Sequence, residues 1–183
     1  MAIKLFVSQQ SSYFRLPSAD NDYNKAIRRK YDHFKSLEHR TVVRQQGLLG
    51  RGLFAAEDIP KGKYIVEYVG ELVSTQEFLS RSEVYKNRSY TNDYFAHLHE
   101  DWHLDATMTG NNGRYANHSC FPNARFKVKQ LNGSVHYVLF LKSKKFIKKG
   151  EPVTLDYCWY RSTTEAIDLS ECRCSPKHCR GYI

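Results

Sequence analysis

The chain has 183 residues, a net charge of +9 and a hydrophobic share of 41%. That length gives room for one domain with a real core, and that composition excludes a chain disordered throughout. No apolar run reaches the span of a bilayer and none opens the chain as a signal peptide would. The expected setting is therefore intracellular, with no membrane partner. The basic excess points either to acidic partners or to a solvated basic surface, and charge alone weighs the two about equally.

Residues 1–20 carry little pattern and read as an adaptable arm. From Asp22 to Glu38, Tyr23, Ile27, Tyr31, Phe34 and Leu37 recur at helical spacing, which predicts an amphipathic helix packed on the main domain. After Gly47 the texture changes to short apolar segments punctuated by Gly50, Gly52, Pro60 and Gly62, then a strand over Tyr64–Val69. Ser74 followed by Glu77 reads as a capping box opening a short helix to about Tyr85. Residues 87–93 are polar and loop-like, and Tyr94–Leu98 and Trp102–Leu104 read as strands around an acidic turn. Asn132-Gly133 predicts a hairpin between Arg125–Gln130 and Ser134–Leu141, and a further strand is expected over Pro152–Tyr157. The expected architecture is mainly β, built of many short strands with a few short helices.

Four groups of residues occur together and in order. Gly50-Arg51-Gly52 precedes Leu53-Phe54, and glycines flanking one residue let backbone approach a ligand, although a plain turn explains them as well. Tyr68-Val69-Gly70-Glu71 ends an apolar strand. The block Arg114-Tyr115-Ala116-Asn117-His118-Ser119-Cys120-Phe121-Pro122-Asn123 gathers polar groups that need partners if buried. Last comes Asp156-Tyr157, followed by Cys172, Cys174 and Cys179. Of five cysteines none precedes Cys120 and three crowd the last dozen residues, which fits metal binding better than a spread of disulfides.

Taken together these blocks resemble the SET domain of protein-lysine methyltransferases, followed by its post-SET zinc motif. The resemblance runs from about Gly47 to the C-terminus. It implies a SET domain over 47–160 and a zinc-binding post-SET segment over 161–183, following the arm and amphipathic helix read from the residues over 1–46, which it does not cover. It also implies a β-clip-like fold of small curved sheets with a pseudoknot, in which the Asn117–Cys120 segment threads beneath a loop holding the later tyrosine. Topology rules alone would not predict that, since threaded loops are rare.

Residue by residue, the resemblance implies S-adenosylmethionine as cofactor, held by Gly50, Arg51, Gly52, Tyr94, Arg114, Asn117 and His118. Arg51 suits the carboxylate end of that cofactor, because a guanidinium pairs with carboxylates as a planar fork. Tyr157 is the expected catalytic tyrosine, with Tyr94 beside it and Leu155 and Tyr157 lining the lysine channel; the bland reading of Tyr94 is a core aromatic. A free lysine of pKa ~10.4 is only about 0.1% neutral near physiological pH, so making it a nucleophile costs roughly 4 kcal/mol. A desolvated channel lowers that cost. Cys120, Cys172, Cys174 and Cys179 form the implied zinc site, with His178 a competing fourth ligand and Cys158 a packed thiol.

The implied substrate is a lysine of the histone H3 tail or another lysine-containing peptide, and the implied location is nuclear chromatin. The stretch Asp105–Asn111 looks like the trithorax class, which modifies the fourth lysine of H3. Leu155 stands where most members carry Phe or Tyr, which predicts addition of more than one methyl group. Tyr115 replaces the usual Phe, Leu49 lies where relatives place a polar or aromatic residue, and no cysteine-rich segment precedes the domain. Lys142, Lys144, Lys145, Lys148 and Lys149 read as a solvated hairpin end ahead of a contact to nucleosomal DNA or a targeting signal. A methyltransferase of a non-histone protein and a non-catalytic SET-like chromatin-binding module remain as alternatives. His97, His99 and His103 are assigned no metal.

Overall fold

The computed structural model describes residues 16–87, 94–157, 171–174, 177 and 179–182. Cys158, His178 and the arm over 1–15 lie outside them, as do the loop residues 88–93. The described residues are mainly β, with ten short strands in four small sheets and two α-helices.

Helix α1 (Asp22–Ser36) starts where Asn21 caps it, its side chain accepting from the Asn24 N–H at 2.8 Å. Asp22 in the first turn and Lys35 in the last complement the helix dipole. Of the five apolar positions read from the sequence, Ile27 and Phe34 are buried and Tyr31 is partly so, while Tyr23 and Leu37 at the ends stay exposed. Strand β1 (Thr41–Gln45), which the sequence reading did not identify, pairs antiparallel with β2 (Arg51–Ala55) through a 3-10 turn at Gly47–Leu49. Strand pairing therefore runs across residues 46 and 47.

Strand β3 (Tyr64–Glu67) leads to β4 (Glu71–Ser74) and helix α2 (Thr75–Asn87). The capping box forms as expected: Glu77 N donates to Ser74 Oγ at 3.2 Å and Ser74 N to Glu77 Oε2 at 3.0 Å. Strands β5 (Phe95–His99) and β6 (Trp102–Asp105) complete a sheet in the order β4-β6-β5, turning at Glu100 with φ +47°. Asp105 is buried there and receives Arg81 and Tyr85 of α2, each at 3.0 Å.

The Asn132-Gly133 turn is present with both residues at positive φ, but the loop is longer than the dipeptide. Leu131 and His136 close it, so the hairpin joins β8 (Ala124–Gln130) to β9 (Tyr137–Ser143) rather than restarting at Ser134. β9 is the central strand of the order β3-β9-β8. The expected strand over Pro152–Tyr157 shrinks to β10 (Thr154–Leu155), which pairs parallel with β7 (Asn117–His118).

The two faces of the β3-β9-β8 sheet bury different cores. Leu139, Leu141 and Ile65 belong to the main core with Tyr68, Tyr115 and Leu155, and Phe126 packs against it. Val138 and Phe140 join Ile27, Phe34 and Leu131 in a second cluster beneath α1. Phe140 is fully buried there, 5.9 Å from Phe34 and 5.1 Å from Tyr64 between ring centroids. Phe140→Ala is expected to cost about 3–5 kcal/mol of stability, because the cavity cannot collapse between a helix and a sheet. Denaturant unfolding measures this, and a loss below about 1 kcal/mol would mean that α1 does not stay docked in solution.

Candidate active site and metal cluster

The segments whose crossing the resemblance implies lie against each other. Thr154 pairs with Asn117 and Leu155 with His118, and Ser119 N donates to Leu155 O at 2.7 Å. Asn123 fastens the return, its Nδ2 donating to Pro152 O at 2.7 Å while its Oδ1 accepts from Thr154 N at 2.8 Å. That buried amide replaces the ladder a longer β10 would have had.

Tyr157 follows directly and is held at both ends. Its N–H donates to His118 Nδ1 at 3.1 Å and its hydroxyl donates to Ala116 O at 3.0 Å. The residue as a whole is 47% exposed, yet its hydroxyl points inward, where burial first and the neighbouring Tyr94 second push its pKa upward. The phenol therefore keeps its proton at neutral pH. Tyr68, seen in the sequence only as the end of a strand, joins this group, donating to Tyr94 O at 2.9 Å; burial, then Tyr157, raises its pKa as well. Leu155 is buried beneath, at 2% exposure.

Beside these tyrosines lies a cationic wall. The guanidinium carbons of Arg51 and Arg114 each sit 4.9 Å from the Tyr115 ring centre, and Arg114 also faces Tyr94 at 5.3 Å. Arg114 donates to Ala106 O and the Tyr115 hydroxyl, each at 2.8 Å, and its buried Nε has no partner among the described residues. A buried donor without an acceptor is costly, and a carboxylate-bearing ligand would relieve it. The donor set thus fits the acidic end of an S-adenosylmethionine-like cofactor.

The glycines and Asn117 have structural work alongside. Gly50 takes φ +72°, and a Cβ on Gly52 would run into the Gln46 side-chain amide. Asn117 Nδ2 donates to Gln46 Oε1 at 2.8 Å and to Arg51 O at 3.0 Å, tying β7 to the Gly50–Gly52 turn. Any donor that Asn117 and His118 turn toward a ligand must therefore come from backbone, since these side-chain donors are engaged. Gln46 is a residue that sequence reading missed, because nothing local marks it. Gly70 packs as closely, a Cβ there meeting the Asp105 backbone at 2.8 Å.

The cysteines converge on the opposite side of His118. Cys120 Sγ lies 3.7 Å from Cys172 Sγ, too far for a disulfide and close to the roughly 3.8 Å expected between thiolates sharing a tetrahedral zinc. Cys120 N reaches Cys174 Sγ at 3.4 Å, and the Cys179 thiol reaches Cys172 O at 3.4 Å. Ligand atoms of His118, Cys120, Cys172 and Cys174 all lie within 4.8 Å of one another. His118 is set apart by its tautomer. Its Nδ1 accepts from Tyr157 N, so Nε2 carries the proton and donates to Cys120 Sγ at 3.4 Å. With its Nε2 proton turned to Cys120, His118 stands between the sulfurs and Tyr157, which leaves Cys120, Cys172 and Cys174 of that group, with Cys179 beside them on Cys172 O.

The sulfurs differ in how readily they lose a proton. Burial raises the Cys120 pKa, but the Arg180 N–H and then His118 outweigh it and bring the thiol to about 7. The Gly181 N–H and the other sulfurs bring Cys179 to about 7. Cys172 is pushed upward, by burial first and by the surrounding sulfurs. Arg180 then clamps Asp156 through two bonds, at 2.7 and 3.0 Å, fastening the C-terminal segment next to Tyr157.

The family model of the SET domain matches residues 50–158. Histone-lysine N-methyltransferase ASHH2 of Arabidopsis thaliana is 36% identical over 91% of this chain, which spans 9% of that protein. Two relatives from Mycosarcoma maydis, named for lysine 4 and lysine 36 of H3, are 37% and 38% identical over 84% and 73% of the chain. The chain spans 10% and 13% of their lengths. A solved structure of apo ctPRC2 with mutations in Ezh2 superposes at a TM-score of 0.59 with 32% identity, over 67% of this chain and 15% of that one. With the motifs, the sheets and the crossing of β7 and β10 in agreement, the chain belongs to the SET-domain family.

Proposed function

We propose that this chain is an S-adenosylmethionine-dependent protein-lysine N-methyltransferase acting on a histone H3 tail lysine in nuclear chromatin. The observation that carries the reading is the Tyr157 hydroxyl, kept protonated among Tyr68 and Tyr94 and flanked by the Arg51–Arg114 wall. Arg51, Arg114, Tyr94 and the backbone at Gly50, Gly52, Asn117 and His118 would hold S-adenosylmethionine. When bound, that cofactor supplies an electrophilic sulfonium methyl group.

What remains for the protein is alignment and desolvation. A lysine reaching Tyr157 meets buried aromatic rings in place of water, which favours its neutral amine. The Tyr157 oxygen accepts a hydrogen bond from an amine N–H and leaves the nitrogen lone pair free to point at the methyl carbon. Leu155 offers no hydroxyl to hold a water beside the amine. The wild type is therefore expected to add more than one methyl, and Leu155→Tyr to restrict the product to monomethyl-lysine. Mass spectrometry of exhaustively treated peptide reads this, and purely monomethyl product from the wild type would reject it.

Cys120, Cys172, Cys174 and Cys179 would bind one structural zinc. The stretch Asp105–Asn111 favours the fourth lysine of H3, while the two Mycosarcoma maydis relatives differ in the lysine they name at nearly equal identity. The basic surface would touch nucleosomal DNA. Labelled-methyl transfer to free H3, octamers and nucleosomes, with the modified lysine mapped, tests the function. Incorporation on an H3 tail lysine is expected; cofactor binding without transfer to any histone would overturn the histone reading.

A further inference from the structure

The docking of α1 on the sheet creates a basic stripe that the SET-domain match, confined to residues 50–158, does not contain as a whole. The ammonium groups of Lys30 on α1 and Lys129 on β8 each lie 5.4 Å from the centre of the Phe34 ring. They are thus no further from each other than twice that distance. Lys142 on β9 sits 5.4 Å over Tyr64, which packs edge-on against Phe34 at 5.6 Å.

Register extends the stripe. Arg125 pairs with Lys142 and Lys127 with Phe140, so both project from the face that carries α1. Side chains two apart on one strand stand about 7 Å apart, which sets Arg125, Lys127 and Lys129 in a row roughly 14 Å long. None of these five cations forms an ion pair among the described residues. The nearby acids are already engaged: Glu67, which pairs with Phe140 on the same face, is bound with Glu38 by Lys35, and Asp32 acts on Tyr31, whose pKa it helps to raise. Five like charges without counter-ions, two of them over one apolar ring, call for a polyanion whose charges are spread along a line.

We propose that Lys30, Arg125, Lys127, Lys129 and Lys142 form a docking stripe for the phosphate backbone of duplex DNA, an inference that rests on the chromatin reading above. The stripe lies on the α1 face of the β3-β9-β8 sheet, while Leu139, Leu141 and Phe126 turn their opposite face toward Tyr68 and the tyrosine cluster. Duplex could thus be held on one side of the sheet while a peptide enters from the other. The contact is to phosphates rather than base edges, because lysines spread along an edge strand read charge spacing and carry no donor code. The lysines at 144–149, at the hairpin end, are not needed for it.

The test is anisotropy of a fluorescent duplex of about 30 base pairs with the full chain between 50 and 200 mM salt. Five phosphate contacts give a log–log slope near −4.5, and K30Q/K127Q/K129Q is expected to bring it to about −2. At 50 mM salt the variant should bind at least about tenfold more weakly, and Lys129→Gln alone should give a smaller loss of the same sign. Methylation of a short H3 peptide should be unchanged in both, since no substituted residue belongs to the catalytic site. A slope and affinity unchanged in the triple variant would overturn the stripe, as would loss seen only in K144Q/K145Q/K148Q/K149Q. Tighter binding of polyglutamate or single-stranded RNA than of duplex would overturn the choice of partner. Duplex binding that depends on the stripe, without methylation of any histone, would instead strike the enzyme reading and leave the stripe standing.

Discussion

Tyr157→Phe is expected to lower methyl transfer at least about 100-fold while leaving cofactor affinity within about twofold. The substitution keeps the ring and its edge contact with His118, 5.4 Å between centroids, and removes only the hydroxyl. Two things go with it: the oxygen that orients the incoming amine, and the bond to Ala116 O. Arg51, Arg114 and the Gly50–Gly52 turn make no hydrogen bond to that hydroxyl, so the cofactor side should survive. Titration calorimetry with the cofactor and labelled-methyl transfer separate the two effects. Equal loss of both would make Tyr157 a structural residue, and full retention of turnover would remove it from the mechanism. Because the phenol is held above its ordinary pKa, it stays protonated as the lysine loses its proton with rising pH. The rate should climb from pH 7 toward 10 with no falling limb from a phenolate.

The parts of this fold that were legible beforehand are those whose signal is local. The Ser74–Glu77 box and the Asn132-Gly133 turn each satisfy their own backbone within a few residues, so the sequence carries the whole instruction. Strand β1 is not legible in the sequence because Thr41–Gln45 is short and half exposed; only pairing with β2 makes it a strand. Strand β10 is shorter than its residues predict for the converse reason, since side chains take the backbone groups on either side, Asn123 at Pro152 and Thr154 and His118 at Tyr157. At the site, resemblance carried Tyr157, Arg114 and the cysteines. The supporting contacts were invisible: Gln46 against Gly52 and Asn117, Tyr68 against Tyr94, Arg180 on Asp156. Apart from Gln46 against Gly52, each joins segments more than 20 residues apart, with nothing in either segment to announce the other. His118 changed most in meaning. From sequence it is a cofactor residue, whereas its ring spans the distance from Tyr157 N to Cys120 Sγ.

That span makes metal loss the second large effect. Cys172→Ser, or stripping with a strong chelator, is expected to abolish zinc binding and reduce methyl transfer by about 100-fold. Among the described residues of the C-terminal segment only Cys172 is buried, and Tyr182 is 41% exposed. Apolar burial among these described residues therefore adds little to holding the segment in place. The Arg180–Asp156 pair, with both partners partly exposed, contributes at most about 1 kcal/mol. The Glu171–Tyr182 bridge and the bond from Cys172 N to Gly181 O only close the segment on itself. On the proposed zinc reading the metal would supply the rest, as it does where a short chain folds around zinc. Without it Cys120 is no longer fixed, the His118 ring loses the acceptor for Nε2, and Tyr157 N loses a rigid partner. Arg180→Ala is the graded control, expected to cost only a few-fold in rate with zinc still bound. Cys158→Ser should change neither metal content nor rate. Zinc content by atomic absorption, thermal unfolding and methyl transfer are read on the same samples. Full activity in metal-free protein would show that the segment is held without zinc, and would also break the proposed link from Cys120 through His118 to Tyr157.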